Sequence, residues 1–130
     1  MKEVSAAIMI HSGLCLIAKR KATDRLANLW EFPGGKVEPG ETLEECLRRE
    51  MLEEFNIEIE VDSFFMESIY SYEHGTIKLL AYFTRWTDGE IRLTVHDEIA
   101  WIKRDQLDNY TFAPADIPIV RKLKECDYGF

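Results

Sequence analysis

Three glutamates, Glu50, Glu53 and Glu54, stand zero, three and four residues along one segment of the chain. On a helix that spacing gathers their carboxylates within an arc of about 100°. Like charges so placed repel by several tenths of a kcal/mol per pair, an arrangement that a fold alone does not need. A hard divalent cation does need it. Mg²⁺ takes oxygen ligands and combines carboxylates with waters and substrate phosphates. Arg49 can pair with Glu53 and hold it in one orientation. Such a trio on an arbitrary acidic helix is more often a solvated face. Here Phe32-Pro33-Gly34-Gly35-Lys36 and Glu41 precede it, and the combination points to a site.

The element that must carry these carboxylates is the clearest in the chain. Thr42 and Glu45 form a capping box ahead of a helix predicted over Thr42 to Phe55. Leu43, Cys46, Leu47, Met51 and Phe55 recur at three- and four-residue steps and give it one apolar stripe. Asn56 tolerates the left-handed conformation that ends helices. Upstream, the apolar runs Val4 to Ile10 and Leu14 to Ala18 flank His11-Ser12-Gly13 and predict a β-hairpin. Neither run alternates strictly, so both faces are expected to be covered. Residues 19–29 read as a loop, and Trp30 to Gly35 as a rigid aromatic stretch.

Downstream, Ile57 to Tyr72 reads as extended chain that turns at Glu73-His74-Gly75 into Thr76 to Thr84. Ile99 to Ile102 looks like a short strand, followed by an irregular stretch to Pro114. A closing helix is expected over Ile117 to Cys126. The fold class is therefore α/β in the α+β sense, a mixed sheet sandwiched between helices, built as a single domain over 1–130.

The chain has 130 residues, 46% apolar and 31% charged, which suits one soluble globular domain. Sixteen Lys and Arg against twenty-four Asp and Glu leave a net charge of −8. That excludes a protein that simply coats a nucleic-acid polymer, which depends on cationic neutralisation of phosphates. A phosphate-bearing small substrate stays admissible if a metal supplies positive charge. The three cysteines form no CxxC pair and are odd in number, which predicts reduced thiols and a cytoplasmic home. No apolar run reaches the roughly 18 residues of a membrane span, so no membrane partner is expected. His11, His74 and His96 lack ligand spacing and read as turn or surface residues. Trp30, Trp86 and Trp101 read as packing.

The segment 35–57 resembles the Nudix box, G-x5-E-x7-R-E-U-x-E-E-x-G-U, where U is a bulky aliphatic. Gly35 opens it, Glu41 follows after five residues, and Arg49-Glu50-Met51 after seven more. Glu53-Glu54-Phe55-Asn56-Ile57 completes it. Every fixed polar position matches. The departure is Asn56 where the family has Gly, at a helix end that Asn can also form. Leu29 to Lys36, the pair Asp97-Glu98, and Phe112-Ala113-Pro114-Ala115-Asp116 are similar to the MutT-type branch. The likeness spans Val4 to about Leu123 and is weakest across 57–95.

The resemblance implies a nucleoside triphosphate substrate split into monophosphate and pyrophosphate, with 8-oxo-dGTP, CTP and modified dCTP as the branch's substrates. It implies Mg²⁺, with Mn²⁺ able to substitute. Metal would be held by Glu50, Glu53, Glu54, Glu98 and the carbonyl of Gly35. Glu50, Glu53 or Glu98 would act as general base beside Arg49, and Asp97 is the fallback for Glu98. Arg20 and Lys36 would meet the phosphates. Asp116, flanked by Phe32 and Phe112, would meet the base, or else Asp116 caps the last helix. The chain is expected as a monomer or homodimer. Other readings are a Nudix hydrolase of another nucleoside diphosphate linked to a further moiety, and a non-catalytic nucleotide sensor. A domain reading oxidised guanine in DNA would need a fused catalytic partner and less negative charge.

Overall fold

The computed structural model describes residues 1–23 and 25–130. One residue of the expected loop, Asp24, lies outside the described residues. Strand β1 (Lys2–His11) runs into β2 (Leu14–Arg20) through Ser12 and Gly13. Both carry positive φ, 52° and 76°, the backbone of a type I′ turn. The hairpin is real but brief, with only Ile10↔Cys15 and His11↔Leu14 in register. Beyond its tip the two strands part. β1 pairs in parallel with β5 (Gly75–Gly89) from Lys2↔Ile77 to Met9↔Thr84, whereas β2 pairs antiparallel with β6 (His96–Ile102). A two-residue strand β3 (Trp30–Glu31) lies on β2, and β4 (Ile57–Tyr72) pairs antiparallel with β5. The spatial order is β3-β2-β1-β5-β4, with β6 also on β2.

Alternation along β1 divides the core. Ala6 and Ile8 face one layer with Phe32, Phe112, Ile119 and Leu123, while Ala7 and Met9 face another with Leu47, Met51 and Phe55. The second layer is closed by helix α1 (Leu43–Phe55) and the first by α2 (Ile117–Leu123), which gives the expected sheet between helices. Helix α1 starts and stops where its residues predict. Thr42 Oγ1 accepts from the Glu45 N–H at 3.1 Å, and Glu45 Oε1 accepts from the Thr42 N–H at 2.9 Å. Asn56 ends it in the left-handed conformation at φ 61°.

Three boundaries differ from expectation by three residues or more. β5 continues to Gly89 because β4 partners it along its full length, and β6 begins three residues early, at His96. α2 stops at Leu123, where the exposed segment after it has no apolar stripe to bury. Backbone bonds from Trp30 N–H to Thr111 O (2.9 Å) and from Ala113 N–H to Trp30 O (2.9 Å) lay 111–113 beside β3. They thereby bring Asp116 to Phe32. No helix among the described residues is long and apolar enough to cross a membrane.

Candidate active site

Where β1 passes the start of α1, Gly34 is required by space, and Gly35 lets the Glu50 carboxyl come up against the backbone. A Cβ on Gly34 would overlap the carbonyl oxygen of Ser5, and one on Gly35 would overlap the carboxyl of Glu50. The Gly35 peptide is tied to β1 by the Ser5 N–H, which donates to Gly35 O at 2.8 Å. The carboxyl of Glu50 thus lies directly against the Gly35 backbone, on an α1 face that also carries Glu53 and Glu54.

Arg49 organises this face. Its Nε and Nη2 donate to both oxygens of Glu41 at 2.7 and 3.0 Å, and its Nη1 donates to Glu50 at 2.9 Å and Glu53 at 3.3 Å. Nη2 also reaches the Lys36 carbonyl at 3.1 Å. A fork of five donors is what such a set of acceptors requires, and lysine could not supply it. Hydrogen bonding from Arg49 holds the Glu41 carboxyl down at about 2. Glu54 goes the other way. Burial, then its hydrogen bond to Glu50 and the charges of Glu50, Glu31 and Glu53, push it up to about 9.

The donor set on this face is all oxygen: carboxylates and a backbone carbonyl. It fits a hard divalent cation, and a carboxyl whose ionisation is this disfavoured is one that a nearby cation would relieve. Among the described residues no three acidic, His or Cys side chains already converge as a complete ligand set. Mg²⁺ sites commonly complete themselves with waters and substrate phosphates.

A cavity of about 390 Å³ borders Gly35, Lys36 and Glu54 and extends to Arg20, Tyr72 and Asp116. Its size suits one small ligand. Arg20 Nη1 bonds Glu31 Oε1 at 2.9 Å, and the other oxygen of Glu31 meets His96 Nε2 at 2.8 Å. His96 is buried and stacks on Phe55, with ring centroids 5.2 Å apart. Asp116 is buried, and its Oδ1 accepts from the Phe32 N–H at 3.0 Å. Burial first, and then the charge of Glu31, raise its pKa well above the ordinary carboxylate value. Beside it the Tyr72 hydroxyl accepts from the Ala115 N–H at 3.0 Å.

The structure brings Gly35, Glu50, Glu54, Arg49 and Lys36 together with Arg20, Phe32 and Asp116. Asp116 does not cap α2, whose first turn has no side-chain cap; the carboxyl is committed to Phe32 instead. Glu53 sits at the exposed edge of the α1 face. Glu98 is elsewhere. A bulge between Lys19 and Arg20 shifts the β2–β6 register, so His96 faces the α1 layer while Glu98 pairs with Lys19 at 3.2 Å outside the cavity. Phe112 stacks on Phe32 (centroids 5.4 Å) but does not line the cavity, and it belongs to the core. Glu31 and His96 escaped the sequence reading, and His96 is buried rather than at the surface. The one available signal for Glu31 was its position in the aromatic stretch before Gly34.

A family model described as the NUDIX domain matches residues 5–122. The chain is 37% identical to the CTP pyrophosphohydrolase of Escherichia coli over 120 residues, 92% of this chain and 89% of that one. It is 32% identical to the 8-oxo-dGTP diphosphatase of the same organism, over 95% of this chain and 98% of that one. The solution structure of the E. coli ORF135 protein superposes with a TM-score of 0.83 at 34% identity, covering 100% of this chain and 95% of that one.

Proposed function

The chain belongs to the Nudix hydrolase family, and on that premise we propose that it hydrolyses nucleoside triphosphates to monophosphate and pyrophosphate with Mg²⁺. One observation carries this reading: Gly35, Lys36 and Glu54 border the same cavity as the buried Asp116, so one ligand could place its phosphate chain at the carboxylate helix and its base at Asp116. Glu50, Glu54 and the Gly35 carbonyl would hold the cation, with Glu53 as a further ligand. Mn²⁺ could replace Mg²⁺ on the same oxygen donors. The ion would supply neutralisation of charge developing on the phosphate oxygens. The cytoplasm, where such nucleotides are made and used, is the proposed compartment.

The protein's own groups do the rest. Arg20, fixed through Glu31 by His96, presents a guanidinium to the phosphates, a pairing suited to bidentate contact. Lys36 adds positive charge at the cavity wall. Arg49 holds Glu50 at 2.9 Å and the exposed Glu53 more loosely at 3.3 Å, which makes Glu53 the carboxylate best able to take a proton from the attacking water. Phosphoryl transfer needs mainly this kind of positioning and electrostatic support.

At the base end, Asp116 faces the cavity with one oxygen committed to Phe32 and the other available. Ionised, that oxygen would accept from an exocyclic amine, which cytosine and guanine-type bases both carry, in keeping with the substrates named for the two E. coli relatives; protonated, it would donate to a ring nitrogen or carbonyl instead. A pyrophosphate-release assay with Mg²⁺ against CTP, 5-substituted dCTPs, 8-oxo-dGTP, dTTP and UTP tests the proposal. Monophosphate and pyrophosphate from amine-bearing bases ahead of dTTP and UTP is the expected result. Silence across the triphosphates with turnover of a diphosphate-linked nucleoside would overturn it.

A further inference from the structure

Ser5 lies on β1 only 1% exposed, behind the Gly35 peptide, and its one proton and two lone pairs can meet the three groups around it in more than one arrangement. Its Oγ is 3.0 Å from Gly35 O, 3.3 Å from Gly35 N and 3.2 Å from Cys46 Sγ. Cys46 Sγ in turn is 3.4 Å from Gly35 O and 3.5 Å from Lys36 O. A hydroxyl has one proton and two lone pairs, a thiol one weak proton, and a carbonyl oxygen two lone pairs. One lone pair of Gly35 O is occupied by the Ser5 N–H at 2.8 Å. The other can be met by the Ser5 hydroxyl or the Cys46 thiol, but not by either of them while it binds a cation.

We propose that Ser5 and Cys46 form a hydrogen-bond relay that positions the Gly35 carbonyl and hands its second lone pair to a divalent cation. In the cation-free protein the Ser5 O–H donates to Gly35 O, and the Gly35 N–H donates to Ser5 Oγ. On binding, the Ser5 proton turns to Cys46 Sγ and the thiol proton turns to the Lys36 carbonyl. Every donor keeps an acceptor in both states, so the carbonyl is released without stranding a buried polar atom. Stranding one would oppose binding. Ser5 and Cys46 are positioning residues here, because neither touches the cation. The inference rests on the reading that Gly35 O is a cation ligand, and the experiment separates the two.

Mn²⁺ is titrated into substrate-free protein and followed by electron paramagnetic resonance. Paramagnetic broadening of the Gly35 amide by nuclear magnetic resonance and melting temperature are recorded for wild type, Ser5→Ala, Cys46→Ala and Cys46→Ser. Residues that orient metal ligands from behind typically change affinity about 10- to 100-fold when removed. We expect about tenfold weaker Mn²⁺ binding in Ser5→Ala and in Cys46→Ala, and recovery in Cys46→Ser, whose hydroxyl restores the donor and acceptor. A purely structural role would lower the melting temperature and leave the affinity of the folded protein unchanged. Should Ser5→Ala fail to fold, the Cys46 pair alone decides. Wild-type broadening at Gly35 with Mn²⁺ affinity within about twofold in the folded variants would overturn the relay and keep the cation site. Absence of broadening at Gly35 in the wild type would overturn both.

Discussion

Relative to the wild type, Asp116→Asn should gain stability steadily as pH rises above 3.8. Asp116 is 6% exposed, and burial followed by the charge of Glu31 raises its folded-state pKa well above 3.8. Below pH 3.8 the carboxyl is protonated in the folded and unfolded chain alike and contributes no pH dependence. Above it the unfolded chain releases the proton while the folded chain keeps it. Stability therefore falls as pH rises, by about 1.4 kcal/mol per pH unit, until the folded-state value is reached. An unfolding entropy of about 2.1 cal/mol/K per residue gives about 0.27 kcal/mol/K for this chain. The wild type should thus lose about 5 °C of melting temperature per pH unit relative to Asp116→Asn. The asparagine keeps an oxygen for the Phe32 N–H, so the comparison isolates ionisation. Asp116→Ala strands that N–H and should be less stable than Asp116→Asn at every pH, by about 1–3 kcal/mol.

Scanning calorimetry or fluorescence melts of the three proteins between pH 4 and 8 make the measurement. A difference between wild type and Asp116→Asn that does not change with pH would refute the assignment of a buried, proton-retaining carboxyl. The same titration has a substrate readout. As the wild-type carboxyl ionises, its free oxygen changes from hydroxyl donor to acceptor, so KM for amine-bearing bases should depend on pH. In Asp116→Asn that dependence should flatten.

Three further substitutions address the phosphate end. Glu53→Gln should lower kcat roughly 10²- to 10⁴-fold, the range that positioned proton transfer contributes. Its side chain is 61% exposed, so an unchanged melting temperature is expected alongside; near-normal turnover would remove Glu53 from the chemistry. Gly35→Ala places a methyl group where the Glu50 carboxyl now lies. Mn²⁺ affinity by calorimetric titration should drop at least about tenfold, the scale seen when a ligand's support is disturbed. Arg20→Met keeps the bulk and removes the guanidinium. With a charge-assisted hydrogen bond worth about 1.5–3 kcal/mol, KM for the triphosphate should rise roughly 10- to 150-fold, and an unchanged KM would place the phosphates elsewhere.

The carboxylate helix was legible because its signals are local. Thr42 and Glu45 cap it through neighbours three residues apart, Asn56 ends it by its own backbone preference, and the stripe of Cys46, Leu47, Met51 and Phe55 selects its buried face. Beyond the two hairpin turns, at Ser12-Gly13 and at Glu73-His74-Gly75, the partnering of strands was not legible. Val4 to Ile10 is apolar on both faces whichever strand lies beside it, so nothing in it distinguishes the parallel β5 from the antiparallel β2. The same limit hid the Arg20–Glu31–His96 chain. Strict alternation would give His96 and Glu98 one face, and only the bulge at Lys19/Arg20 separates them, turning His96 inward and leaving Glu98 with Lys19. Motif spacing located residues along the chain; register decided which of them meet.

The opposite displacements of Glu41 and Glu54 show how that meeting sets the site's electrostatics. Both carboxyls lie close to the Gly35 turn, yet one is held near 2 and the other is pushed to about 9. The difference is the burial of Glu54 together with the direction of one guanidinium. Arg49 spends its fork on Glu41, Glu50 and Glu53, so Glu41 contributes stability above pH 4.5 that disappears as pH falls toward 2. Glu54 receives none of that fork and faces Glu50 and Glu31 instead, so ionising it opposes folding as pH rises from 4.5 toward 9. Pairs of acids driven apart in this way mark where a fold gives up stability for chemistry. Arg49 neutralises the side of the helix that anchors the Gly35 turn and leaves uncompensated the side that opens onto the cavity. In the proposed function, it is this side of the helix that would receive the cation.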